Sequence, residues 1–232
     1  MPQLLIKKLG KSYPTRRVLR GLSLTLESGI VALLGPNGAG KSTALNILST
    51  QLTPTAGYFQ LGEWRSDEEP MEIRQRIGMV GHQSFLYRDL TLDENLDFYS
   101  KLYKVSQNTE RKAALVERFQ LKDRLDQRVG EYSRGLLQRA SLVRALLHDP
   151  DVLLLDEPFT GLDQTSSKLL LGLLDEWHSS SKLLLLTTHD LAHAAQCSNR
   201  AVILRNGKLA ADVEGPFTLD SLRSAYDEAV RS

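Results

Sequence analysis

The sequence of 232 residues contains one cysteine, Cys197, so the chain can form no disulfide within itself. A lone cysteine is usual in a reducing cytosol, and we expect Cys197 to pack as a small buried hydrophobe. No apolar run reaches the length of about 18 residues that spans a bilayer. The apolar stretch after Met1 is too short to predict a secretory signal. We therefore expect neither a membrane span nor a leader in this sequence.

Net charge is also nearly absent, since 29 Lys and Arg residues balance 28 Asp and Glu residues to a formal charge of +1. No overall field attracts nucleic acid, which is therefore not an expected partner. Apolar residues make up 41% and charged residues 25%, as in ordinary globular proteins. The length allows one large domain or two small ones.

The most informative segment is residues 35–43, Gly-Pro-Asn-Gly-Ala-Gly-Lys-Ser-Thr. It matches the phosphate-binding loop, in which two glycines frame four residues and Lys-Ser follows. The apolar run 30–34 before it indicates a buried strand, and residues 43–49 after it indicate a helix. The predicted ligand-binding positions are Gly35, Pro36, Asn37, Gly38, Ala39, Gly40, Lys41, Ser42 and Thr43.

The residue types of this loop suit a nucleoside triphosphate. Glycines let successive backbone N–H groups point inward at phosphates, and the helix start adds its positive dipole end. Lys41 supplies a mobile charge for the β- and γ-phosphates, and Ser42 offers a hydroxyl to Mg²⁺. The alternative interpretation is a Gly-rich turn without a ligand.

Two adjacent carboxylates, Asp156 and Glu157, follow the apolar run 152–155. The carboxyl end of a buried strand is where α/β sheets bind ligands. Asp156 can hold Mg²⁺ directly or through a water. Glu157 can orient and polarise the attacking water. The alternative is a solvated strand end.

The rest of the chain predicts an α/β layered core, because strands alternate with helices. Strand-like segments between residues 3 and 26 are broken by the Lys-Ser-Tyr-Pro run at 11–14, and residues 92–147 are helical and inserted between two core strands. Gly207 closes a predicted hairpin. Further strands are predicted at 57–61, 77–80, 183–187 and 201–204.

Residues 132–139, Tyr-Ser-Arg-Gly-Leu-Leu-Gln-Arg, open a long predicted helix with Ser133 as its N-cap. With this segment the chain resembles the nucleotide-binding subunits of ATP-binding cassette (ABC) transporters, whose signature is usually Leu-Ser-Gly-Gly-Gln. Ser133 and Gly135 match the signature, whereas Arg134 and Leu136 depart from it. The resemblance implies that this helix start faces the γ-phosphate bound to the other protomer. Arg134 either crowds that nucleotide or adds a positive charge near it.

The resemblance also assigns five more positions, in the family's order. Gln83 matches the glutamine that touches Mg²⁺ and the attacking water, and His189 matches the switch histidine at the γ-phosphate. Asp163 belongs to the loop that crosses to the opposite protomer. Tyr13 matches an aromatic that stacks on adenine, and Val18 packs on the same base. The implied catalytic residues are Glu157, His189 and Gln83, and the implied metal ligands are Ser42, Gln83 and Asp156.

The fold implied by the resemblance is the α/β ATP-binding cassette. It has a phosphate-loop NTPase core sheet, an antiparallel β subdomain and an inserted helical subdomain. We expect the cassette domain over residues 1–215, with the helical subdomain at about 84–148. Residues 216–232 form a tail whose role the sequence does not reveal.

The implied function is an ATPase that uses ATP and Mg²⁺, closes as a homodimer or pseudo-dimer, and drives separate transmembrane permease subunits. It implies a cytoplasmic location, peripheral on the inner face of the cell membrane. Residues 85–87, Phe-Leu-Tyr, correspond to the region that receives a short helix of the membrane partner. Packing within the helical insert is the alternative.

The cargo prediction depends on phrases at residues 81–83, 94–99, 156–160 and 186–189. They look most like the ATPase of the haem exporter of cytochrome c maturation. An export ATPase for a drug, lipid or polysaccharide is the alternative. A non-transport ABC ATPase is less favoured, because the sequence has no long coiled-coil or zinc insertion and holds a single cassette.

Overall fold

The structure is a computed structural model that describes residues 3–105 and 109–231. Its strands are β1 (Leu4–Tyr13), β2 (Arg16–Leu26), β3 (Gly29–Leu34), β4 (Ala56–Leu61), β5 (Trp64–Arg65), β6 (Ile77–Val80), β7 (Val152–Asp156), β8 (Leu183–Thr187), β9 (Arg200–Arg205) and β10 (Lys208–Glu214). Its α-helices are α1 (Lys41–Leu48), α2 (Pro70–Arg74), α3 (Leu92–Leu102), α4 (Thr109–Arg118), α5 (Arg134–Leu146), α6 (Gln164–His178), α7 (Leu191–Cys197) and α8 (Leu219–Arg231).

The core is a six-stranded sheet in the order β10-β9-β3-β8-β7-β6. Its strands are parallel except at the β9–β10 hairpin. All residues of β3, β6, β7 and β8 are buried, as expected of parallel strands covered on both faces. Because β8 lies between β3 and β7, the phosphate loop and the two carboxylates emerge two strands apart at one edge. The sheet therefore assembles the predicted site.

A second sheet, in the order β2-β1-β4-β5, is antiparallel and forms the predicted β subdomain. The predicted break at residues 11–14 was wrong in its extent. Residues 11–13 remain in β1, and only Pro14 and Thr15 form the turn. Tyr13 still pairs with Arg16 across that turn, so the ladder continues up to the proline.

The helical segment is inserted between β6 and β7, which are neighbours in the core sheet, as predicted. Helix α3 buries Leu92, Leu96 and Tyr99 on one face. Thr91 and Glu94 form a capping box that fixes its start. The predicted bounds of 84–148 include residues 106–108, which lie outside the described residues.

The tail after residue 215 contains helix α8, which buries Leu222 and Ala229 and packs on α7, β9 and β10. The expected burial of Cys197 is confirmed, and that burial raises the pKa of its thiol to about 12. Within the two described ranges, no helix has the length and apolar character needed to cross a membrane.

The turn between β9 and β10 allows us to predict how a substitution changes the stability of the protein. Asn206 and Gly207 both have positive φ, 49° and 76°, and a Cβ at residue 207 would lie 2.0 Å from the carbonyl oxygen of Val18. We expect Gly207→Ala to lower the free energy of unfolding by roughly 2–4 kcal/mol, through backbone strain and overpacking. Urea denaturation measures this.

The matched control is Gly172→Ala on α6, where an added Cβ meets nothing within 4 Å. Alanine is the better helix former there, so this change should stabilise the protein by about 0.5–1 kcal/mol. Equal urea midpoints for the two variants would contradict the collision at residue 207.

Candidate active site

The phosphate loop connects the end of β3 to the start of α1. Gly35, Gly38 and Gly40 have φ values of 144°, 77° and 107°, which side chains rarely allow. A Cβ at Gly35 would lie 2.2 Å from the carbonyl oxygen of Leu204. The loop opens into a cleft lined by Arg16, Val18, Asn37, Gly38, Gly40, Lys41, Ser42, Thr43, His82 and Glu157. Of the predicted loop positions, Gly35, Pro36 and Ala39 do not line this cleft.

Lys41 is the cation of the loop and is only 8% exposed. Its ammonium donates to the carbonyl oxygens of Gly35 at 2.7 Å and Pro36 at 3.3 Å. Burial lowers the pKa of Lys41, while the nearby charges of Glu157 and Asp156 oppose that shift. The ammonium is thus held over the loop, where phosphate oxygens can replace the carbonyl partners.

Asp156 ends β7 and is 7% exposed. One of its carboxylate oxygens, Oδ1, accepts hydrogen bonds from the hydroxyls of Ser42 at 3.2 Å and Thr187 at 2.6 Å. The structure therefore brings the predicted metal ligands Ser42 and Asp156 together. Hydroxyl and carboxylate oxygens are the donors that Mg²⁺ prefers, so these residues fit that ion.

Glu157 follows in the left-handed region, with a φ of 52°. Its N–H donates to the carbonyl oxygen of Thr187 at 3.2 Å and to the hydroxyl of Thr187 at 2.9 Å. Its Oε2 lies 2.9 Å from Nδ1 of His189. Two predicted catalytic residues therefore meet beside the phosphate loop. A carboxylate oriented by an imidazole can align and polarise a water molecule.

Asp156 and His189 are not part of the cleft lining, and neither are Gln83 and Tyr13. Gln83 is exposed, and its neighbour His82 lines the cleft instead, with Nε2 at 3.9 Å from Oδ2 of Asp156. Tyr13 is 46% exposed at the end of β1, whereas Val18 lines the cleft. Contacts of Gln83 and Tyr13 with a nucleotide stay predictions.

Sequence reasoning missed Thr187 and Arg16. Thr187 is the polar end of an otherwise apolar strand, which is a signal that the sequence does contain, and the structure pairs it with Asp156 in the sheet. Arg16 donates to the carbonyl oxygen of Gly38 at 2.9 Å across the cleft mouth. Nothing local in the sequence predicts that contact, because it joins the two sheets.

The signature residues form a second cluster. Ser133 caps α5 by accepting from the N–H of Leu136 at 3.3 Å. Asp163 caps α6 by accepting from the N–H of Ser166 at 2.7 Å, and this backbone hydrogen bond lowers the pKa of its carboxyl group. A Cβ at Gly135 would lie 2.2 Å from Oδ2 of Asp163. The cluster lies outside the lining of the phosphate cleft of its own chain.

Comparison with known proteins places this geometry in a family. A family model described as "ABC transporter" matches residues 19–160. The chain is 35% identical over 198 residues to the ABC transporter ATP-binding protein NatA of Bacillus subtilis, covering 83% of this chain and 80% of that one. It is 36% identical over 209 residues to the Nod factor export ATP-binding protein I of Burkholderia orbicola, covering 89% and 69%.

Solved structures agree. An ATP-binding subunit of an ABC transporter has a TM-score of 0.88 and 30% identity, covering 97% of this chain and 99% of that one. The dimeric ATP-binding cassette MJ0796, bound to ADP and Pi after hydrolysis, has a TM-score of 0.81 and 26% identity, covering 91% and 98%. A bacterial Atm1-family ABC exporter with ATP bound has a TM-score of 0.83 and 25% identity, covering 98% of this chain and 41% of that one. The predicted cassette fold is confirmed, and the chain belongs to the ABC transporter family as an ATP-binding subunit with ATPase activity.

Proposed function

We propose that this ATPase drives export through separate membrane subunits. ATP is hydrolysed at the active site described above, and its hydrolysis is coupled to export. The observation that carries the proposal is the convergence of Lys41, Asp156, Glu157 and His189 at one sheet edge. It supplies phosphate binding and water activation in one place. The relative named for Nod factor export and the Atm1-family exporter support the export direction.

Within that site, Lys41 binds the β- and γ-phosphates, and Ser42 and Asp156 hold Mg²⁺. The ion supplies positive charge to the phosphate oxygens when it is bound. Glu157 aligns the attacking water, and His189 orients Glu157. Gln83 is assigned as the third catalytic residue on the resemblance alone. Val18 and Tyr13 are assigned to the adenine, with Val18 already lining the cleft.

The working form that we propose is a homodimer or pseudo-dimer of such subunits. Ser133, Gly135 and Asp163 cluster away from their own phosphate cleft, so each site lacks its signature half. A second protomer supplies that half when two cassettes close on ATP. The ADP- and Pi-bound dimer among the similar structures supports this arrangement. Shifting the ratio of closed to open dimer from 1:99 to 99:1 needs a difference in binding free energy of about 5.5 kcal/mol between the two states. Charge-assisted contacts with two γ-phosphates supply energy of this order.

The membrane partner is assigned to a groove between the core and the helical insert. Its lining is rich in apolar side chains, and Met71 and Leu102 at the groove are 59% and 58% exposed. Arg74 and Arg144 contribute positive charge, and the lining contains no acidic residue. The groove includes Phe85, from the predicted docking segment 85–87. This placement supports a peripheral location on the inner face of the cell membrane.

Leu102→Asp tests the groove. The change puts a charge on the apolar rim, so we expect recovery of membrane subunits in a detergent pull-down to fall by at least about tenfold. A loss of 1.4 kcal/mol suffices for that factor. Basal ATP hydrolysis by the isolated chain should stay unchanged. Leu219→Asp is the matched control, since Leu219 is an exposed leucine outside the groove. Equal losses for both variants would reject the groove as the docking site.

The narrower proposal for cargo is haem, for cytochrome c maturation. It depends on the sequence phrases alone, since the site residues contact nucleotide and not cargo. The relative named for Nod factor export points to a cargo other than haem, so export of a drug, lipid or polysaccharide is the second candidate.

A pull-down from the native membrane in mild detergent, followed by mass spectrometry, distinguishes these candidates. Recovery of a haem-handling or cytochrome c maturation companion supports haem export. Recovery of another permease keeps the export proposal and rejects haem. If no membrane protein is recovered, the proposal of coupling to membrane subunits fails.

A further inference from the structure

Arg134 is an unusual residue at the signature, and its guanidinium lies against the backbone of another segment. A Cβ added to Gly161 would be 2.6 Å from Nη1 and 2.7 Å from Cζ of Arg134. Gly161 also has a φ of 69°, which disfavours side chains. The guanidinium therefore packs on the loop at a place that only glycine leaves open.

The contact is reciprocal. Asp163, two residues further along the same loop, places its carboxylate against Gly135, where a Cβ would lie 2.2 Å from Oδ2. Each segment thus presents a charged side chain to a glycine of the other. We call Arg134, Gly135, Gly161 and Asp163 the clasp. It joins the start of α5 to the loop 158–163.

The same loop begins directly after Glu157. The N–H of Thr160 donates to the carbonyl oxygen of Glu157 at 3.1 Å, so the first turn of the loop is tied to the catalytic candidate. Glu157, Thr160 and Arg134 also line one small cavity, together with Asp156. A non-glycine residue at a φ of 52° is held there only by its surroundings. The hydrogen bonds with Thr187 hold the backbone N–H of Glu157. The clasp holds the loop 158–163 that follows it.

We propose that Arg134 is a positioning residue for Glu157, acting through Gly161 and the loop 158–163. The inference rests on the proposed function, in which Glu157 aligns the attacking water. A flat guanidinium packs over a peptide backbone in a way that a lysine ammonium does not. A carboxylate displaced by about 1 Å loses catalytic efficiency of the order of 100-fold.

The test is steady-state ATP hydrolysis by the full chain carrying Arg134→Ala or Arg134→Lys. We expect kcat to fall by about 10- to 100-fold for both variants, with KM for ATP within twofold of the parent. KM is expected to hold because neither variant changes Lys41 or the rest of the phosphate cleft in the same chain. Arg223→Ala, which removes an exposed arginine of α8, is the matched control and should leave both constants unchanged.

Gly161→Ala disrupts the clasp from the other side, since its Cβ must displace the guanidinium. The double variant Arg134→Ala with Gly161→Ala should then lose no more activity than the worse single variant. Thermal unfolding of each variant shows whether it is folded. A parental kcat for Arg134→Ala, a raised KM as the main effect, or losses that multiply in the double variant would each overturn the proposal. If Glu157→Gln hydrolyses ATP normally, the proposed function fails instead, so the two failures are distinguishable.

Discussion

Replacing Glu157 with glutamine should slow ATP hydrolysis by about 10²- to 10⁴-fold, the range that a positioned general base contributes. Glutamine keeps the size of the side chain and retains an oxygen for His189, whose Nδ1 lies 2.9 Å from Oε2. The backbone contacts of Glu157 with Thr187 are also unchanged by the substitution. Only the negative charge that polarises water is lost, so the effect should fall on kcat.

ATP binding should survive in the same variant, because Lys41 and the phosphate loop are intact. The proposed dimer should therefore accumulate with ATP, since the bridging γ-phosphate is no longer cleaved. Phosphate release and gel filtration with and without ATP measure the two effects. Glu117→Gln, at an exposed position of α4, is the matched control and should behave like the parent. Parental turnover in Glu157→Gln would remove Glu157 from its assigned role.

Local sequence patterns predicted much of the core. The strand at residues 77–80 and the strand at 183–187 have the predicted bounds, because short apolar runs in parallel sheets are buried on both faces. The phosphate loop was predicted from its glycines, whose positive φ values the structure shows. Asp156 and Glu157 were found because they end such a buried run. These signals are all contiguous in the chain.

Contacts between segments that are distant in the chain could not be predicted from such local patterns. Arg16 reaches the phosphate loop from the antiparallel sheet, and Arg134 reaches Gly161 from the start of α5. The sequence marks Arg134 only as a departure from the signature, and its partner Gly161 lies in a different segment of the chain. Thr187 is intermediate, since its polarity at a strand end is visible but its pairing with Asp156 needs the strand order.

Lys41→Ala should weaken ATP binding by about 10- to 100-fold. A hydrogen bond to a charged group contributes about 1.5–3 kcal/mol, and 1.4 kcal/mol corresponds to a factor of ten in affinity. In the structure the ammonium donates to the carbonyl oxygens of Gly35 and Pro36, so binding of ATP exchanges these partners for phosphate oxygens. Burial lowers the pKa of Lys41, and the neighbouring charges of Glu157 and Asp156 oppose that shift.

Isothermal titration with ATP and Mg²⁺ measures the loss, and Lys208→Ala, which removes an exposed lysine of β10, is the matched control. Titration with adenosine separates the phosphate contribution, because adenosine carries no phosphate for Lys41 to bind and its affinity should not change. Unchanged ATP affinity would reject the phosphate role of the loop lysine. Together, Lys41→Ala and Glu157→Gln separate nucleotide binding from ATP hydrolysis. Lys41→Ala should lose the nucleotide, whereas Glu157→Gln should keep it and fail to cleave it.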